Sequence, residues 1–162
     1  MSLVQDTFRT YSSPRKTIRS RLVSTSEADA LIYLIMGLVF NFIGSLPFLL
    51  DSAGEIPITA FLSAYFIGVV IFAPLLFYFI SVLGKLAVMI LGWRIRWIHS
   101  RIALFWAFFI VFPLIMVNGM TTYIPTKHGE ILQDGFSILI FAIFLTFWFL
   151  GLHEANKLKD QT

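Results

Sequence analysis

Four long apolar runs, separated by short polar stretches, set the pattern of this chain. The longest, Ile58 to Gly92, is broken chemically by Pro74, Gly84 and Lys85. As a helix rising about 1.5 Å per residue it extends roughly 50 Å, well past the ~30 Å hydrocarbon core of a bilayer. Phe61 to Leu83 is uncharged and long enough to cross. Lys85 then has to reach water or headgroups by snorkelling and so marks one interface. Leu86 to Leu91 either continues the helix or forms half of a re-entrant turn, and Pro74 predicts a bend near the middle.

The run Ala28 to Leu50 predicts the first span. Two capping boxes compete to start it: Ser24 with Glu27, or Ser26 with Asp29 one step later. Either places acids where a helix N-terminus favours them. Gly37, Gly44 and Ser45 offer small positions for close helix approach, and Pro47 is expected to kink or end the last turn. Ile102 to Met120, with Pro113 and Asn118, predicts a third span, and Gly135 to Leu152 a fourth. Between them, Thr121 to Asp134 reads as a loop with an interfacial turn around Ile131 and Leu132.

Ahead of the first span, Ser13 and Pro14 form a helix start, followed by Arg15, Lys16, Ile18, Arg19, Arg21 and Leu22. Ile18 and Leu22 share a face, so a short basic helix at the headgroups is expected. Met1 to Ser12 either extends its apolar contact through Val4, Phe8 and Tyr11 or stays mobile. No apolar run precedes Ala28, so no cleavable signal is expected. The domain plan is a basic segment 1–23, a transmembrane domain 24–153 (spans about 28–50, 59–83 continuing to 92, 102–120 and 135–152), and a polar tail 154–162.

Composition agrees with the pattern: 58% of the residues are hydrophobic and 13% charged, about half the charge of a soluble domain. The mean hydropathy is +0.85. With 162 residues there is room for one membrane domain of a few helices. The absence of cysteine excludes thiol catalysis, thiolate metal sites and disulfides. Lys and Arg alternate along the chain: five before the first span (Arg9, Arg15, Lys16, Arg19, Arg21), none in the first loop, four in the middle connection (Lys85, Arg94, Arg96, Arg101), one in the third loop (Lys127) and two in the tail. The positive-inside rule then predicts an all-α four-span integral membrane protein with both termini cytoplasmic.

Candidate chemistry is sparse. His99, His128 and His153 are scattered, and His153 and Glu154 point in different directions on a helix. His128 with Glu130 and Asp134 forms a local acid/histidine group that reads as a solvated loop. No zinc, phosphate-loop or nucleophile-elbow motif is present. No catalytic residue, metal site or cofactor is therefore assigned, and the basic balance is ascribed to topology and anionic lipid, not nucleic acid. Inside the spans, Asn41 and Asn118 are the notable polar residues, suited to hydrogen bonds across helices or to lining a path. The best functional candidate is a cationic cluster: Arg94, Arg96 and Arg101, with Lys85 and with Arg15, Lys16 and Arg19 converging from the N-terminal segment. Guanidinium forks suit phosphate, and Trp93 and Trp97 suit the interface. The competing class is a small oligomeric transporter or channel with Asn41 and Asn118 along its path.

Certain segments resemble bacterial members of the Yip1 domain family. They are Ser13-Pro14-Arg15-Lys16, Glu27-Ala28-Asp29-Ala30-Leu31, Phe72-Ala73-Pro74-Leu75-Leu76, Arg101 to Ala107 with Pro113 beyond it, and Gly151-Leu152-His153-Glu154-Ala155. The resemblance implies a non-enzymatic multi-span scaffold acting on membrane organisation or on partner membrane proteins; the cationic cluster adds anionic lipid as an expected partner, further copies of the chain are another, and a bacterial inner membrane is the expected location. The chain departs from the family in having four expected spans where about five are usual. It lacks the long acidic and aromatic N-terminal segment of eukaryotic relatives, and Phe108-Phe109 stands where those often carry Gly-Tyr. Their Rab binding is therefore not implied.

Overall fold

A computed structural model describes residues 3–52, 54, 56–121 and 129–159, and among them there are helices and turns but no strand. The helices are α1 (Leu3–Ser12), α2 (Pro14–Ser24), α3 (Glu27–Ser52), α4 (Ile58–Ile67), α5 (Ala73–Ile90), α6 (Trp97–Thr121) and α7 (Gly129–Lys159), with a π turn at Gly68–Phe72 joining α4 to α5. Four segments are long and apolar enough to cross a bilayer: Glu27–Leu50, Ile58–Ile90, Trp97–Gly119 and Asp134–Leu158. The protein is an integral membrane protein.

Local chemistry explains where the elements start and bend. Of the two possible capping boxes the later one forms: Asp29 N–H donates to Ser26 Oγ at 3.2 Å, and Ser26 N–H donates to Asp29 Oδ2 at 3.1 Å. Helix α2 runs to Ser24, so Ser24 is not free to cap α3, and only Thr25 and Ser26 stand between the two helices. Pro74 lacks an N–H, and its ring crowds the carbonyl four residues back. The chain accommodates it with a wider turn just upstream, in which Ala73 N–H reaches back to Gly68 O. Pro47 lies inside α3, which continues to Ser52 instead of ending there. The stretch after Lys85 is a helix extension to Ile90, closed by Gly92 at φ +80°.

Helix α6 is the pillar: half of its spanning window is buried, against 6% for Ile58–Ile90, so the other spans gather around α6 and the second faces outward. Ile102, Leu104, Phe105, Trp106 and Ile110 of α6 are fully enclosed. Helix α3 runs parallel to it, as Glu27 meets Arg101, Tyr33 meets Trp106 and Phe40 stacks on Phe112 at 4.3 Å. Further along, Gly44 and Gly119 bring the two backbones together, where a Cβ on Gly119 would strike the Gly44 carbonyl. Helices α5 and α7 run antiparallel to α6: Ser100 Oγ donates to Ser81 O at 2.7 Å, and Asn118 Nδ2 donates to Ser137 Oγ at 2.9 Å. The starts of α3 and α6 and the ends of α5 and α7 consequently share one end of the bundle, called the basic end below.

Several boundaries differ from the sequence reading. Helix α6 begins at Trp97, so Trp97, His99 and Arg101 belong to its first turns and not to a loop. Helix α7 already includes Ile131 and Leu132 and runs on to Lys159, past the expected end at 152, because Ala155 is buried and Leu158 packs on the core. Lys127 and His128 lie outside the described residues, as do the side chains of Glu130 and Lys159. The segment before the first span is also ordered as helix. Tyr11 of α1 donates through Oη to Ile110 O at 2.6 Å and meets the Phe147 ring edge-on, whereas Phe8 is exposed.

Candidate functional site

Helix α2 lies lengthwise along α7. Its Arg15 stands beside Phe149 and Leu150, while Leu22, near its other end, stands beside Ala155 and Leu158. Burial of Ile18 and Leu22 fixes that face, so the shared-face expectation for this pair describes contact with protein. Arg21, next to Leu22, is carried inward with it. Its guanidinium donates to the Tyr33 hydroxyl at 2.7 Å, pairs with the Asp6 carboxylate of α1, and lies 5.0 Å from the centroid of the Trp106 ring. A cation desolvated between a carboxylate and aromatic faces keeps its charge compensated by all three. Burial pushes the Tyr11 phenol above its ordinary pKa, so it keeps the proton it donates to Ile110.

The expected cationic cluster is therefore split. Arg101 is paired with Glu27 at 2.7 Å and sits 5.2 Å from the Tyr78 ring centroid, which ties α3, α5 and α6 together. Lys85 packs its side chain against the bundle at the basic end, and its Nζ lies 3.4 Å from the centroid of Trp97. Arg15 faces the flank of α7, and Lys16 faces a polar cleft shared with Asp6 and Arg9 of α1. Arg19 is half-buried and engaged. Lys85 shares a groove with Trp93 and Arg94, whereas Arg15, Lys16, Arg19 and Arg101 do not line the cleft that Arg94 and Arg96 form.

Arg94 and Arg96 lie on the turn between α5 and α6. Asn156 of α7 pins that turn, accepting the Arg94 N–H at 3.1 Å, and Trp93 packs on Phe149 and His153. Both arginines are exposed, and among the described residues neither makes an ion pair. With His99 they line a cleft of about 330 Å³ together with Leu22, Val23 and Thr25 at the end of α2 and Ala155 and Leu158 of α7. Thr25 is 7% exposed, and its Oγ1 has no hydrogen-bond partner. A buried hydroxyl without a partner costs on the order of 1–3 kcal/mol, and Thr25 Oγ1 is enclosed by protein rather than open to the cleft.

Sequence reasoning missed Arg21, Thr25 and the anchoring role of Tyr11. One signal was present for two of them: Ile18, Leu22 and Thr25 follow helical spacing, and Arg21 is three residues from Ile18, at the edge of that stripe. The intramembrane asparagines do not meet in any described cavity. Asn118 bonds Ser137 across α6 and α7, while Asn41, half-buried on α3, accepts Ser45 Oγ at its carbonyl. His153 and Glu154 approach to 3.8 Å, closer than their sequence positions suggest but beyond a hydrogen bond, and Lys157 comes within 3.5 Å of the same carboxylate. Among the described residues no three His, Cys, Asp or Glu side chains gather as a metal site. Compared with family models, characterised proteins and solved structures, the chain has no match.

Proposed function

We propose that this chain is a non-enzymatic, Yip1-type membrane organiser whose basic end engages anionic lipid and partner membrane proteins, in a bacterial inner membrane with both termini cytoplasmic. The observation that carries this reading is the pair Arg94 and Arg96: exposed, without ion-pair partners among the described residues, and held on a pinned turn at one end of the bundle. Basic residues at such a position each gain about 1 kcal/mol near an anionic leaflet. The end of α2 bearing Ser24 lies at the same level and completes the headgroup-facing surface. A transport path would need Asn41 and Asn118 along one route, and Asn118 is instead turned to Ser137.

Extraction of the tagged protein in polymer discs, with mass spectrometry of its lipid and protein companions, tests the proposal. The wild type is expected to carry an excess of anionic lipid and a stoichiometric protein partner, and Arg94→Glu with Arg96→Glu to lose the lipid excess. An unchanged lipid complement in that variant removes the lipid part of the proposal. A homo-oligomer lacking other proteins removes the adaptor part.

A further inference from the structure

We infer that the groove between α1 and α2 is a headgroup site for an anionic lipid whose phosphodiester carries a polyol. This deepens the lipid-binding reading above, on which it rests for the membrane setting, with a second surface on the flank of the bundle. Burial of Ile18 and Leu22 turns the apolar face of α2 inward. Ser13, Lys16, Thr17, Ser20 and Ser24, spaced three and four apart, therefore form a polar stripe on its outward face. Arg9 of α1 stands across from them, and the two helices enclose a groove of about 470 Å³. Because Arg21 pairs with the Asp6 carboxylate, the groove keeps the positive balance of Arg9 and Lys16. Lys16, Ser20 and Ser24 are exposed where they line it, and Lys16 makes no ion pair among the described residues.

The groove's place in the fold makes a lipid its occupant. Arg15 stands beside Leu150, within the span Asp134–Leu158, and Leu22 stands beside Leu158 at the end of that span. The groove thus runs down the flank of a spanning helix, with Ser24 outermost and Ser13 deepest. Its sideways neighbours are lipids, and charged and hydroxyl groups are costly against acyl chains, so headgroups are what they meet. The order of groups along the groove matches the order along a lipid. Arg9 and Lys16 suit the phosphodiester; Ser20 lies about 6 Å further out along α2, and Ser24 about 6 Å beyond it. Serine hydroxyls both donate and accept, as the hydroxyls of a polyol require. A free polyol phosphate offers the same polar chemistry without an acyl chain, so the two sources are separable by affinity.

The test uses the full chain in neutral detergent, with binding followed by native mass spectrometry and calorimetry. The probes are lysophosphatidylglycerol, lysophosphatidylethanol, which has the same charge but no headgroup hydroxyl, and glycerol 3-phosphate. Lysophosphatidylglycerol is expected to bind about tenfold more tightly than either other probe. Lys16→Gln should weaken it about tenfold, and Ser20→Ala with Ser24→Ala should bring the two lysolipids within about twofold of each other, while circular dichroism shows the helical fold kept. Glycerol 3-phosphate binding as tightly as lysophosphatidylglycerol would overturn the lipid as the source, and equal binding of the two lysolipids to the wild type would overturn the polyol. If Lys16→Gln changes nothing while Arg94→Glu with Arg96→Glu abolishes binding, the groove assignment fails and the reading at the basic end survives. If none of these variants alters binding, both fail.

Discussion

Arg21 shows how much one side chain can hold at the edge of a membrane bundle. It joins α1 through Asp6, α3 through the Tyr33 hydroxyl and α6 through the Trp106 face, and it does so while mostly buried. Removing it leaves the Asp6 carboxylate desolvated and alone, a loss of about 3 kcal/mol for a pair of this kind. Arg21→Met should accordingly raise the rate of chymotryptic cutting at Phe8 and Tyr11 by roughly a hundredfold, because cleavage follows the population of undocked α1–α2. The double variant Arg21→Met with Asp6→Asn should recover part of that protection, since no charge is then stranded. If Arg21→Met alone cuts at the wild-type rate, the triple contact does not hold the N-terminal helices. Lys85 makes a related point without a carboxylate, since the Trp97 face lies against its ammonium.

Among elements, the pair α1–α2 departs furthest from a plain amphipathic segment. Tyr11 reaches Ile110, nine residues past Arg101 on α6 and so about 14 Å further along the bundle. Ser24, at the other end of α2, stays near the Arg94–Arg96 turn. Single cysteines in this cysteine-free chain should therefore report a gradient: Ser24→Cys labelled rapidly by a membrane-impermeant maleimide, Ser12→Cys at least about tenfold more slowly. Equal rates would place the whole of α2 at the headgroups, as a helix lying flat on the membrane. The sequence made the α2 helix legible through Ser13-Pro14 and the Ile18–Leu22 spacing, but periodicity names a buried face without naming what buries it. Here the cover is α6 and α7, more than seventy residues away. The Ser26–Asp29 box was legible as one of two alternatives, and the choice depended on α2 continuing to Ser24.

For the whole molecule, the four spans and their order were readable because each demands some twenty apolar residues, a signal that tertiary context rarely overrides. The candidate site was readable only in outline. Charge counts place arginines near one end, but they cannot separate Arg101, consumed by Glu27, from Arg94 and Arg96, which have no such partner. That separation comes from α3 running parallel to α6, a property of packing rather than of either segment. The same packing sorts the chain between two ends. With α3 and α6 starting at the end where α5 and α7 finish, one side of the membrane receives Arg94, Arg96 and Lys157, and the other receives Ser52. Under the orientation proposed above, with the basic end in the cytoplasm of a bacterial cell, Ser52→Cys in spheroplasts is expected to react with an impermeant reagent added outside, and Lys157→Cys only after permeabilisation. The reverse pattern would put the basic end outside, away from the anionic cytoplasmic leaflet, and would remove the electrostatic basis of the proposed lipid engagement. Labelling of both from outside would require an even number of crossings between Ser52 and Lys157, whereas the three spans between them put the two sites on opposite sides.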